Sequence, residues 1–139
     1  ISGGLVGSEM CIRDSNKSDL YSKNLPDRSP QEVKKLFKLV ITQIRTIHKT
    51  VPIFAIETTP TSSRWKAWPK ISMANDLIKK YCNSKQDLHY ISTRDFYIGK
   101  NGLPTDEFFK KDMLHLNKKG YALWAKIIKN NLKRVLDSN

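Results

Sequence analysis

Val51-Pro52-Ile53-Phe54-Ala55-Ile56 is the longest apolar run in the chain, and it restricts the fold more than any other stretch. Six residues cannot span a bilayer, which takes about 20 in a helix. β-Branched and aromatic side chains suit a strand. The run lacks polar–apolar alternation, as expected of a central parallel strand covered on both faces. Strands of that kind need helices, and the flanking segments supply them.

Ser29-Pro30-Gln31-Glu32 is a helix start: Ser29 fits the N-cap, Pro30 the first helical position, and Glu32 completes a capping box. From there Val33, Leu36, Phe37, Val40, Ile41 and Ile44 form one apolar face, predicting a helix to Thr46 or His48. His48 at its end suits the helix dipole as a structural cation. The strand is expected over Val51–Glu57, followed by a loop through Thr58, Pro60, Arg64 and Trp65. Open parallel sheets build their sites at that strand end. Trp65 and Trp68 either line a pocket there or pack on the body. A second helix is expected from Pro69 or Lys70 to Tyr81, with Ile71, Ala74, Leu77 and Ile78 inward and Asn75 beside them. A short strand follows at Leu88–Ser92, with His89 an ordinary strand residue. Gly99–Pro104 reads as a turn, and Thr105–Lys110 as one short helical turn. The last helix opens at Asn117 or Lys118 and runs to about Leu136, docked by Tyr121, Trp124, Ile128, Leu132 and Val135. Alternating helices and strands predict an α/β fold with parallel pairing and right-handed crossovers. Two strands make a poor sheet, so further strands are expected upstream.

The 139 residues are enough for one domain with a core. The net charge of +12 raises nucleic acid or an anionic surface as a partner. The Lys and Arg residues are spread over helices and turns, however, and aromatics do not alternate with them as a base-stacking platform requires. No specific nucleic-acid partner is therefore expected, and a basic binding module without catalysis is the competing reading. Cys11 and Cys82 form no metal or disulfide pattern, and His48, His89 and His115 lie far apart, so no metal site is expected. Cys82, at the end of a predicted helix, reads as a small core residue.

Residues 1–15 differ from the rest. They hold three Gly in the first seven positions, no Lys and no periodicity. They lack the charged and apolar regions of a signal peptide and read as adaptor-derived, non-native sequence. The biological chain is then expected to begin near Asn16, cut at its N-terminus, which leaves localisation open.

Asp112-Met113-Leu114-His115-Leu116-Asn117 carries the chemistry. An acid three residues before a histidine, just ahead of an amphipathic helix, can hold one imidazole nitrogen and leave the other facing a hydroxyl. With Gly120-Tyr121 and Trp124, this run resembles the C-terminal motif of the SGNH hydrolases, the GDSL-like esterases, lipases and acylhydrolases. Pro52-Ile53, Pro60, Arg64-Trp65 and Asn75 follow the layout of that family's C-terminal half, so the resemblance covers about Asp19 to Leu136.

The resemblance implies a three-layer αβα, flavodoxin-like fold with a parallel sheet, truncated at the N-terminus, with 16–139 as the C-terminal portion of one domain. It implies a serine ester hydrolase without metal or cofactor, acting on a small-molecule, lipid or carbohydrate ester. His115 matches the general base, and Asp112 the acid that orients it. The family's nucleophile lies in a Gly-Asp-Ser motif, which these 139 residues do not contain; Gly7-Ser8-Glu9 falls in the adaptor-like segment. At the family's Gly-x-Asn-Asp position, Asp19 fits the Asp, and Ser18 stands on the oxyanion side where the family has Asn. Trp65, on the loop at the C-terminal end of the first strand, is the candidate for lining the pocket.

Overall fold

The computed structural model describes residues 28–138, and Ser18 and the adaptor-like segment lie outside them. Those residues form a mixed helix–strand fold. The elements are α1 (Pro30–Ile47), β1 (Ile53–Ile56), α2 (Trp68–Asn83), β2 (Leu88–Ile91), α3 (Arg94–Tyr97) and α4 (Lys118–Asp137), with single 3-10 segments at Ser62–Ala67 and Asp106–Phe108. The chain divides into two compact units, one of 28–56 with Pro69–Tyr90 and one of Glu57–Trp68 with 91–138.

In the first unit, α1 begins where the sequence places it. The Ser29 hydroxyl accepts the Glu32 N–H at 3.2 Å, and Pro30 is the first helical residue. Val33, Phe37 and Ile41 fall at four-residue spacing on one side and are buried. Each such apolar side chain contributes about 1.5–3 kcal/mol on burial. On α2 the buried positions are Ile71, Ala74, Asn75, Ile78 and Cys82. Cys82 is fully enclosed, and burial pushes its thiol up to about 12. The tyrosine at the end of the same helix, Tyr81, meets Phe37 edge-on at 6.1 Å.

β1 is shorter than its apolar run. The Val51 carbonyl is taken by the Arg45 guanidinium at 2.6 Å, which also binds the carbonyls of His48 and Asp87. This ties the end of α1 to the starts of both strands, leaving four residues for the ladder. Ile53 N–H donates to the Asp87 carbonyl and Glu57 N–H to the Ile91 carbonyl, so both partners advance together and the two strands pair in parallel. Among the described residues the sheet has these two strands. His89 lies on β2 and stacks on Phe54 at 5.0 Å.

In the second unit the core gathers around Tyr97, which is fully buried on the single-turn helix α3. Its ring meets Phe108 and Phe109 at 5.5 and 6.0 Å, and its hydroxyl donates to the Gly120 carbonyl at 2.9 Å. Burial raises that phenol to about 12. α4 docks through Gly120, Trp124 and Ile127, with Gly120 and Ile127 buried, whereas Tyr121 is 52% exposed. The sequence places Tyr121 in the docking face. The helix is instead turned by one residue, because a glycine with no hydropathy signal makes the closest approach. An added Cβ on Gly120 would meet the Phe108 carbonyl oxygen at 2.1 Å.

Candidate functional site

The site lies within the second unit, on the loop between Lys110 and α4. Asn117 caps α4: its side-chain oxygen accepts the Gly120 N–H at 2.9 Å, while its amide donates to the carbonyls of Glu107 and Phe109. Lys110 N–H donates to the His115 carbonyl at 2.7 Å, and Met113 N–H to Lys110 at 2.9 Å. The loop is thus closed on itself just ahead of the helix.

Inside it, Asp112 binds its own turn. One carboxylate oxygen accepts the backbone N–H groups of Leu114 and His115, both at 3.0 Å. The other faces His115 Nδ1 at 2.5 Å. The His115 ring bond, then the two backbone donors, hold the Asp112 carboxyl down at about 2. At neutral pH Asp112 is therefore an anion that can only accept. The proton between the two groups belongs to Nδ1, and in the neutral ring Nε2 carries the lone pair. Both side chains are a little under half exposed. Such an imidazole can take a proton from a hydroxyl while the carboxylate stabilises the resulting cation.

The geometry requires an unusual backbone. Met113 has φ +54°, the left-handed region, at a non-glycine residue. That conformation costs about 1–2 kcal/mol and persists where the surroundings over-determine it. The loop leaving β1 supplies part of that constraint. Ser63 N–H donates to the Met113 carbonyl at 3.2 Å, its hydroxyl donates to the Asp112 carbonyl, and Ser62 donates to the Asp106 carboxylate at 2.6 Å. No local sequence pattern signals these contacts, which join residues 49 and 44 positions apart.

Trp65 on the same 3-10 segment and Trp68, the first residue of α2, are both half-buried and stack on each other at 5.9 Å with only 10° between their planes. The Arg94 guanidinium lies over Trp68 at 5.8 Å. Arg94 in turn is bound to Glu57, whose side chain is fully buried at the end of β1. Glu57 Oε1 accepts Arg94 Nε at 2.7 Å, and Oε2 accepts the N–H groups of Thr93 and Arg94 at 2.7 and 2.8 Å. This anchor was also missed in the sequence, where Glu57 reads only as the polar end of a strand. An acid after an apolar run and an Arg after the next strand were the available signal.

Asp112 and His115 are thus brought together, and Trp65 stands on the loop that contacts them. Among the described residues no cluster of His, Cys, Asp and Glu could hold a metal ion. No protein-family model matches the chain, and no curated protein matches it. The comparison with solved structures does find a match. A Bacteroides ovatus protein described as a GDSL-like lipase has a crystal structure that superposes with a TM-score of 0.62 over 81% of this chain, at 22% identity. The chain resembles that fold. It spans about a third of the neighbour, 34% of its length. No helix among the described residues is long and apolar enough to cross a membrane.

Proposed function

We infer that this chain is the C-terminal part of a serine ester hydrolase of the SGNH, or GDSL-like, type, residues 1–15 being non-native. The observation that carries this reading is the bond between the Asp112 carboxylate and His115 Nδ1, at 2.5 Å, in a chain whose fold resembles a GDSL-like lipase. His115 acts as general base toward a serine hydroxyl through Nε2, and then as general acid toward the leaving alcohol. Asp112 fixes the tautomer and stabilises the imidazolium. The serine attacks the ester carbonyl, the alcohol leaves with the proton from His115, and water repeats the sequence to free the acid. No metal or cofactor takes part.

No Gly-Asp-Ser stands in these 139 residues, so the nucleophile is assigned to the whole protein outside them. These residues alone are then inactive. Ser18 is assigned to the oxyanion side and Trp65 to the pocket wall. Substrates are small-molecule, lipid or carbohydrate esters.

The test is ester hydrolysis by the whole protein, with p-nitrophenyl acetate as probe. His115→Ala is expected to lower kcat on the order of 10⁴-fold or more with the fold intact. Undiminished hydrolysis by that variant refutes the assignment.

A further inference from the structure

We propose that Ser63 is a positioning residue for the Asp112–His115 pair, a role that rests on the reading of that pair given above. The argument starts from Met113. Its left-handed φ turns the chain so that the Asp112 carboxylate can reach back to His115 Nδ1 and to the backbone N–H groups of Leu114 and His115. Two peptide planes flank that Cα: one carries the Asp112 carbonyl, the other the Met113 carbonyl. Ser63 binds both. Its hydroxyl donates to Asp112 and its backbone N–H donates to Met113. A residue that holds the planes on both sides of one Cα fixes the φ and ψ of that residue. The remaining bonds on the loop, Met113 N–H to Lys110 and Lys110 N–H to His115, close the turn from within and leave those two carbonyls unassigned. Ser63 is therefore the external brace on the strained residue, and through it on the carboxylate.

The neighbouring serine serves as the control. Ser62 lies on the same 3-10 segment, but its hydroxyl goes to the Asp106 carboxylate. A general loosening of the segment would follow from losing either hydroxyl. Loss of the brace follows only from losing that of Ser63.

Ring-nitrogen NMR of the full 139-residue chain reads the consequence. The measurement is made where the ring is neutral, and the His115 signals are assigned by their loss in His115→Ala. In the unaltered chain Nδ1 is expected to carry the proton and Nε2 none. In Ser63→Ala the tautomer ratio is expected to move toward Nε2–H by about 2- to 12-fold, the range that one neutral hydrogen bond supports. Ser63→Thr restores the ratio, and Ser63→Cys, a weaker donor of similar size, moves it part-way. Ser62→Ala leaves it unchanged. An unshifted ratio in Ser63→Ala and Ser63→Cys overturns the positioning role while leaving the reading of the pair in place. So does an equal shift in Ser62→Ala. An unaltered chain already protonated on Nε2 overturns both.

Discussion

Replacing Gly120 with alanine separates two opposed expectations. On helix propensity alone, Gly→Ala inside α4 stabilises by about 1 kcal/mol. The packing says otherwise. The new Cβ would stand 2.1 Å from the Phe108 carbonyl oxygen and 2.9 Å from Leu116 Cδ2, and the nearer contact is backbone that cannot swing aside. Relief requires the first turn of α4 to back away by about 1 Å, since nonbonded heavy atoms settle at roughly 3.5 Å and tighter packing only partly relaxes. Three bonds depend on that approach: Asn117 N–H to Phe108 at 2.9 Å, the Asn117 cap on Gly120 N–H at 2.9 Å, and the buried Tyr97 hydroxyl on the Gly120 carbonyl at 2.9 Å. Overpacking costs about 1–3 kcal/mol, and each weakened bond about 0.5–1.5 kcal/mol. Against the propensity gain of about 1 kcal/mol, the overpacking and the three weakened bonds give a net destabilisation of about 1.5–6.5 kcal/mol. Urea unfolding followed by circular dichroism measures it, and in a thermal melt Tm is expected to fall by at least roughly 6 °C. A variant as stable as the parent chain, or more so, refutes the close approach and the helix orientation drawn from it.

Other expectations follow from the same contacts. The Asp112 carboxyl sits at about 2, below its ordinary 3.8, so its contribution to stability is present above pH 4 and lost as pH falls toward 2. Thermal melts between pH 2 and 5 should show a shallower acid limb in Asp112→Asn, and identical limbs contradict the bond. Arg94→Ala removes the charge-assisted bonds that its guanidinium makes to the enclosed Glu57 carboxylate and should cost about 1.5–3 kcal/mol in urea titrations. A loss under 0.5 kcal/mol, within the roughly ±0.5 kcal/mol of an ordinary surface substitution, would count against it. Cys82, enclosed and raised to about 12, should resist a thiol reagent at pH 8 in the folded chain and react on unfolding. Rapid labelling of the native chain would show that the site is open.

What the sequence disclosed, and what it did not, follows from range. Ser29 with Pro30, and Asn117, announced the starts of α1 and α4, because capping is local chemistry between residues three apart. The periodic apolar positions Val33, Phe37 and Ile41, and Ile71, Ala74 and Ile78, marked the buried sides of α1 and α2. The spacing of Asp112 and His115 allowed the bond that the structure contains. α3 escaped notice because four residues carry no period, yet it places the most enclosed aromatic, Tyr97. Glu57 with Arg94, and Ser63 with Asp112, are bonds between residues 37 and 49 apart, which no local pattern signals. Tyr121 was placed inward because aromatic hydropathy dominates a helical face, whereas the helix is seated by Gly120. The left-handed Met113 gave no sign either, since left-handed residues are usually Gly, Asn or Asp.

On the proposed function, Asp112 makes His115 a base. The most direct measurement of that role is kcat for ester hydrolysis by the whole protein carrying Asp112→Asn. An asparagine can offer its amide to Nδ1, which leaves the proton on Nε2, where no hydroxyl proton can then be accepted. The expected result is a fall in kcat on the order of 10⁴-fold with little change in KM and an intact fold. Hydrolysis at the unaltered rate would contradict the account.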